Sequence, residues 1–346
     1  MSAHPNSAVR AGRWAASALA LVVIAGCSSN PVDAPPPTIT PARAADSPAP
    51  AEAPAGTVLP LAQPGQAAVF DATTARLVVL SSGADRSTVT LVDAATAPTA
   101  VELESEATAV AGDGDGTAYL ATRGGYLRLD IGTGEVTRVD VDGQQDVEFT
   151  AITRRADGRV VLGSADGAVV TTSPDGGVEA RLKMFARVDA LVTQDDIVVV
   201  LDRGQTSVTT LNADGTNSEH ALRAGDGATT MATDGAGRVL VADTRGDELL
   251  VYGVRPLILR QRYPVPDAPY GVAGSQNPQG LAWVAQTESN TVVGYDLATG
   301  IPVEKVRYPT VQQPNSLAYA DTTDTLYVVS GSGAGVQVIT GAGGAG

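Results

Sequence analysis

The stretch that decides the fold is residues 237–253, GRVLVADTRGDELLVYG. Val239, Leu240, Val241 and Ala242 form an apolar, β-branched run of the kind that favours a strand. A second run, Leu249, Leu250, Val251 and Tyr252, follows the polar turn at 243–247, so the pair reads as a hairpin. The unit recurs through most of the chain. Phased on the apolar residue just upstream, its copies fall at Val69, Val110, Ile152, Leu191, Met231, Val272 and Leu317, in steps of 41, 42, 39, 40, 41 and 45 residues. Seven such units, each of four strands a to d, predict an all-β seven-bladed β-propeller of four-stranded antiparallel blades.

Strand b is the clearest in each copy: 77–80, 118–121, 160–162, 197–201, 239–242, 281–285 and 326–329. Strand c follows at 88–93, 126–131, 168–172, 207–211, 248–253, 291–296 and 335–340. Turns such as DIGTG at 130–134 and PDGG at 174–177 lead into strand d, whose alternating polarity suits an outer strand with one wet face. The last copy runs out after strand c, in a glycine-rich tail at 341–346. The segment 57–62, TVLPLA, has no blade of its own and is predicted to pair as the outer strand of the last blade. The propeller then spans 57–340 and leaves no open ring edge.

Composition excludes more than it assigns. The 346 residues carry 38 acidic and 23 basic side chains, a net charge of −15. That balance argues against nucleic acid, whose binding requires phosphates to be neutralised. A single cysteine, Cys27, forbids an intramolecular disulfide. Of the two histidines, His4 lies near the N-terminus, which leaves His220 alone in the repeats.

Residues 1–26 read as an export signal: Arg10 and Arg13, then an apolar run at 14–25. Twelve residues are too few to span a bilayer, which takes ~20. The run ends in Ile24-Ala25-Gly26-Cys27, which resembles the lipobox of bacterial lipoproteins and implies a Cys27 carrying diacylglycerol and palmitate. Stable anchoring needs more than one acyl chain. The rest of 27–56 is rich in Pro, Ala and Ser, has almost no large apolar side chain, and is expected to be a disordered, polyproline-leaning linker.

The run LVADTRGDELLVYG at 240–253, with YDLATG at 295–300, resembles NHL- and YVTN-type propeller repeats. With the lipobox and the Ala/Pro linker, the chain resembles actinobacterial (mycobacterial LppL-like) propeller lipoproteins. The resemblance covers about 57–340 and implies a propeller held at the extracytoplasmic face of the cell membrane. These families include scaffolds, binders and enzymes, so it implies no one activity.

Catalysis by Ser–His–Asp or Cys–His needs a base beside the nucleophile. His220 falls in a predicted outer strand, so no catalytic residue is assigned. The GDGDG at 112–116 lacks the closing Glu of an EF-hand loop and reads as a turn. Two residues before each phase position, at the channel mouth, stand Ala67, Thr108, Thr150, Asp189, Thr229, Tyr270 and Asn315. Asp189 and Asn315, with nearby Glu148, are candidate oxygen ligands for a hard cation. That arrangement is similar in kind to metal-dependent lactonase propellers, and Ca2+ is the implied ion. The b–c loops supply a second candidate, a rim of Arg86, Arg123, Arg203 and Arg245 with Tyr270, suited to a carboxylate, phosphate or acidic glycan. The first reading is a monomeric, lipid-anchored, non-catalytic propeller, without cofactor, that binds a protein, peptide or glycan of the cell envelope. The alternative is an exported divalent-cation-dependent hydrolase or lactonase working in the central channel.

Overall fold

Strand b of the fifth repeat, Arg238–Asp243, buries both faces: Val239 and Val241 pack toward the preceding blade, Leu240 and Ala242 toward the following one. The same division holds in the first repeat, where Val78 and Leu80 pack one way and Leu77 and Val79 the other. A strand buried on both sides shows no polar alternation, which explains the continuous apolar runs. Each fully buried Val or Leu contributes about 1.5–3 kcal/mol by leaving water. Seven apolar clusters result among the described residues, one in each interface between neighbouring blades.

The computed structural model describes residues 37–83, 86–93 and 96–344, and every regular element in them is a strand. The expected export signal at 1–26 and the expected lipid attachment at Cys27 lie outside the described residues. The strands form seven four-stranded antiparallel sheets. The blades run over 65–102, 107–140, 149–183, 190–223, 228–264 and 269–309, and the seventh combines 314–340 with 57–59. The first strands of successive blades contact one another, and that of the seventh contacts that of the first, so the ring is closed. The expected architecture is the observed one.

Closure depends on a short strand. Thr57–Leu59 pairs antiparallel with Val336–Thr340, Thr57 opposite Val338 and Leu59 opposite Val336. The chain turns into this strand at Gly56, whose φ of +71° suits glycine and where a Cβ would collide with the Val338 carbonyl. Pro60 falls just past the paired residues, so its missing N–H removes no ladder bond.

The closing strand, expected over 57–62, pairs only over Thr57–Leu59 and stops before Pro60, whereas the limits of the b strands differ from the expected ones by one or two residues. Strand b of the first blade extends to Arg76–Ser82, and of the third to Val160–Ser164. The added residues, Arg76, Ser81, Ser82, Gly163 and Ser164, are polar or small and lie at the strand ends. No helix among the described residues is long and apolar enough to cross a membrane.

Candidate functional site

Two features meet on the face where the b–c loops and the loops between blades open. One is the channel mouth, the other the loop rim around it.

At the mouth, a cavity of about 330 Å³ is lined by Gln66, Ser82, Tyr270 and Asn315, with Pro64, Gly65 and Gly331. The threonines of the predicted inner series do not offer their hydroxyls to it. Thr108 Oγ1 donates to the Phe149 carbonyl at 2.6 Å and Thr150 Oγ1 to that of Val188 at 2.6 Å, each reaching the next blade. Thr229 Oγ1 lies 2.6 Å from Thr244 Oγ1. Thr108 and Thr150 thus tie their blades to the next ones, and Thr229 bonds within its own blade.

The three candidate cation ligands each have separate partners. Asp189 Oδ2 accepts the Arg203 backbone N–H at 2.8 Å, and its Oδ1 lies 3.3 Å from Arg187 Nε. Burial pushes the Asp189 carboxyl above the usual carboxylate range, against the pull of the Arg203 N–H and the two guanidinium charges. Glu148 is exposed and its backbone bridges to Arg123. Asn315 Oδ1 accepts from Gln313 Nε2 at 3.0 Å. A cation at Asp189 would first have to displace its arginine partners, so the residues do not fit one as they stand. No group of three or more His, Cys, Asp or Glu among the described residues is placed to hold a metal ion.

The rim arginines divide into two pairs. Arg86 is exposed, and Arg123 is exposed in an ion pair with Asp146 at 3.3 Å. Such a pair contributes about 0–1 kcal/mol. Arg203 and Arg245 sit on loops braced from beneath by buried aspartates at the ends of their b strands. Asp202 accepts the Ala186 N–H at 2.7 Å and that of Gln205 at 2.9 Å. Asp243 accepts those of Asp226, Gly227 and Gly246 at 2.8, 2.7 and 3.1 Å. Both arginines then reach a segment the sequence had not placed: Arg203 Nη2 donates to the Ala42 carbonyl, and Arg245 Nη2 to that of Thr40 at 2.7 Å.

That segment is the described part of the linker. Residues 37–50 run without turn, bend or strand across the loop face. The Ile39 N–H donates to the Gly204 carbonyl at 2.8 Å. Gln313 accepts the Ser47 N–H at 3.0 Å and donates to the Ala45 carbonyl at 2.9 Å. Gln312 Nε2 donates to the Ser47 carbonyl at 2.9 Å, and Asn290 Nδ2 to that of Pro48 at 2.8 Å. Ser47 Oγ donates to the Thr287 carbonyl at 2.5 Å. The strap therefore crosses loops of blades 4, 5, 6 and 7 before Ala55 bonds Pro309 at 3.1 Å and the closing strand begins. The linker reading gains an addition here. A chain with no internal hydrogen bonds leaves its carbonyls open, and the loop side chains supply the donors.

Sequence reasoning missed Gln312, Gln313, Asn290 and Ser47. The sequence carried no signal for them: the positive φ of Asn290 and Gln313, +50° and +58°, appears only in the folded loops. His220 is exposed on the outer strand Ser218–Arg223. The 112–116 stretch joins Ala107–Gly112 to Thr117–Thr122, and Asp113 Oδ1 accepts the Asp115 and Thr117 N–H groups at 2.9 and 3.0 Å. It is a turn.

Solved structures share the fold at low identity. A streptogramin B lyase superposes with a TM-score of 0.68 at 10% identity, covering 82% of this chain and 97% of the other. The WD40 repeats of RRP9 give 0.71 at 14%, covering 84% and 99%. Hydrazine synthase of Kuenenia stuttgartiensis gives 0.66 at 15%, covering 83% and 99%. No curated protein matches the sequence. The propeller is matched from residue 64 to residue 332 by one family model, and on that match the chain belongs to the SMP-30/gluconolactonase/LRE-like family.

Proposed function

We propose that this chain is a lipid-anchored lipoprotein of the cell envelope, similar to actinobacterial propeller lipoproteins, whose propeller is a non-catalytic binding or scaffold module. Cys27 is the attachment point, and the loop face binds a protein, peptide or glycan. The supporting observation is that Arg203, Arg245, Asn290, Gln312 and Gln313 all donate to the carbonyls of an extended chain. Side chains arranged in that way recognise and hold; they supply no nucleophile or general base.

A second reading is favoured by the family match and by the cavity with Asn315 and Tyr270 in its lining. In it the chain is an exported lactonase or hydrolase using Ca2+ or another divalent cation. Against it stands the engagement of Asp189 by Arg187 and Arg203.

The test is turnover of γ- and δ-lactones by the purified chain with Ca2+, Mg2+ or Zn2+, beside the Asp189→Ala variant. The binding reading expects no turnover above background and no thermal stabilisation by the ions. Hydrolysis that is lost in Asp189→Ala would replace it with the second reading.

A further inference from the structure

The strap is held in a manner that names its ligand class. Five side chains from four blades direct N–H groups to the carbonyls of Thr40, Ala42, Ala45, Ser47 and Pro48. Only two strap N–H groups, those of Ile39 and Ser47, find acceptors on the blades. A surface that offers donors to carbonyls and asks little of N–H groups suits a proline-containing extended chain, because proline lacks the N–H.

Shape adds one point of discrimination. Ala42 is buried, at 7% exposure, whereas Arg43 and Asp46 are exposed. The recess under Ala42 exists because position 227 is glycine: a Cβ there would lie 2.8 Å from that of Ala42 and 2.8 Å from that of Arg245. A small residue is therefore required at one point, and the neighbouring side chains are free to vary.

We propose that the loop face is a groove for an extended Ala/Pro-rich peptide, read through its carbonyls with a small residue in the Gly227 recess, and that residues 37–50 occupy it in cis. The proposal rests on the reading of the loop face as a binding surface and deepens it. The strap is a built-in competitor, so a peptide in trans gains the groove only as the strap leaves. Its release exposes the bond after Arg43, because a protease must draw an extended stretch of chain into its cleft.

The experiment follows trypsin cleavage after Arg43 in the full chain by mass spectrometry. The competitor is a synthetic peptide of residues 37–50 carrying Arg43→Ala, which trypsin leaves intact. Cleavage is expected to be slow in the chain alone and to accelerate at least tenfold, saturably, as the peptide is added. A glycine/serine peptide of equal length should have no effect. A full-length Ala42→Trp/Ser47→Pro variant should cleave fast without peptide and bind a fluorescent version at least tenfold more tightly than the parent chain. Adding Arg203→Ala and Gln313→Ala should remove that binding. An unchanged cleavage rate up to millimolar peptide overturns the proposal, as does acceleration by an acidic oligosaccharide in place of the peptide. Lactone turnover with normal peptide competition would remove the non-catalytic reading and leave the groove intact.

Discussion

Gln313 Nε2 lies 3.0 Å from Asn315 Oδ1, and the same nitrogen donates to the strap at the Ala45 carbonyl, 2.9 Å away. One amide thus joins the linker to a residue lining the channel mouth. Its backbone is committed as well: the Gln313 N–H donates to Asn290 Oδ1 at 3.1 Å, and its carbonyl accepts from Asn315 and Gly331 at 2.8 Å each.

Gln313→Ala should therefore loosen the strap without unfolding the blades. It removes two strap hydrogen bonds, each contributing about 0.5–1.5 kcal/mol net. Since ~1.4 kcal/mol is a tenfold change in an equilibrium, cleavage after Arg43 should rise roughly tenfold while the melting temperature barely moves. Limited trypsinolysis beside thermal unfolding checks this; equal cleavage rates in the two chains would count against the strap's dependence on Gln313.

Gly56→Ala should act in the opposite way, on the ring. Its φ of +71° is unfavourable for alanine, and the added Cβ would collide with the Val338 carbonyl. The closing strand pairs over only three residues, Thr57–Leu59, so it has little ladder to spare. A strained position of this kind costs about 1–3 kcal/mol. Differential scanning calorimetry should show a lowered midpoint, and an unchanged midpoint would show that closure does not limit stability.

Asp189 provides a pH signature. Burial raises its carboxyl pKa above 3.8 in the folded chain, so the folded state keeps the proton to higher pH than the unfolded state. The contribution is fully present below the unfolded pKa and declines as pH rises through the raised folded one. Asp189→Asn removes that decline. Denaturant midpoints measured from pH 3.5 upward, within about the first units above the unfolded value, should shift in favour of the variant as pH rises. A shift in favour of the parent would mean that the arginine partners, and not burial, govern the group.

Cys27→Ala tests the address. Two or more acyl chains give stable membrane attachment, whereas none gives no hydrophobic anchor. The parent chain should fractionate with membranes and partition into detergent, and the variant should appear in the soluble fraction. Membrane retention of Cys27→Ala would remove the lipoprotein reading.

The blades were legible in the sequence because each second strand buries both faces, so that a run such as Val239–Ala242 admits no polar residue and repeats visibly. The turn at 112–116 and the outer position of His220 were equally plain, since short-range hydrogen bonding and period-two polarity decide them. The channel series was located, but the bonding of its threonines was not. Whether Thr108 faces the cavity or the Phe149 carbonyl depends on where the next blade sits. The strap lay beyond sequence reasoning altogether. Residues 37–56 have no apolar periodicity to mark a docking face, and their partners Arg203, Arg245 and Gln313 stand 161, 205 and 266 positions away. Local chemistry sufficed to specify the repeating sheet. Only ring closure, which brings loops of four blades under one extended chain, decides that the linker is held and what the loop face grips.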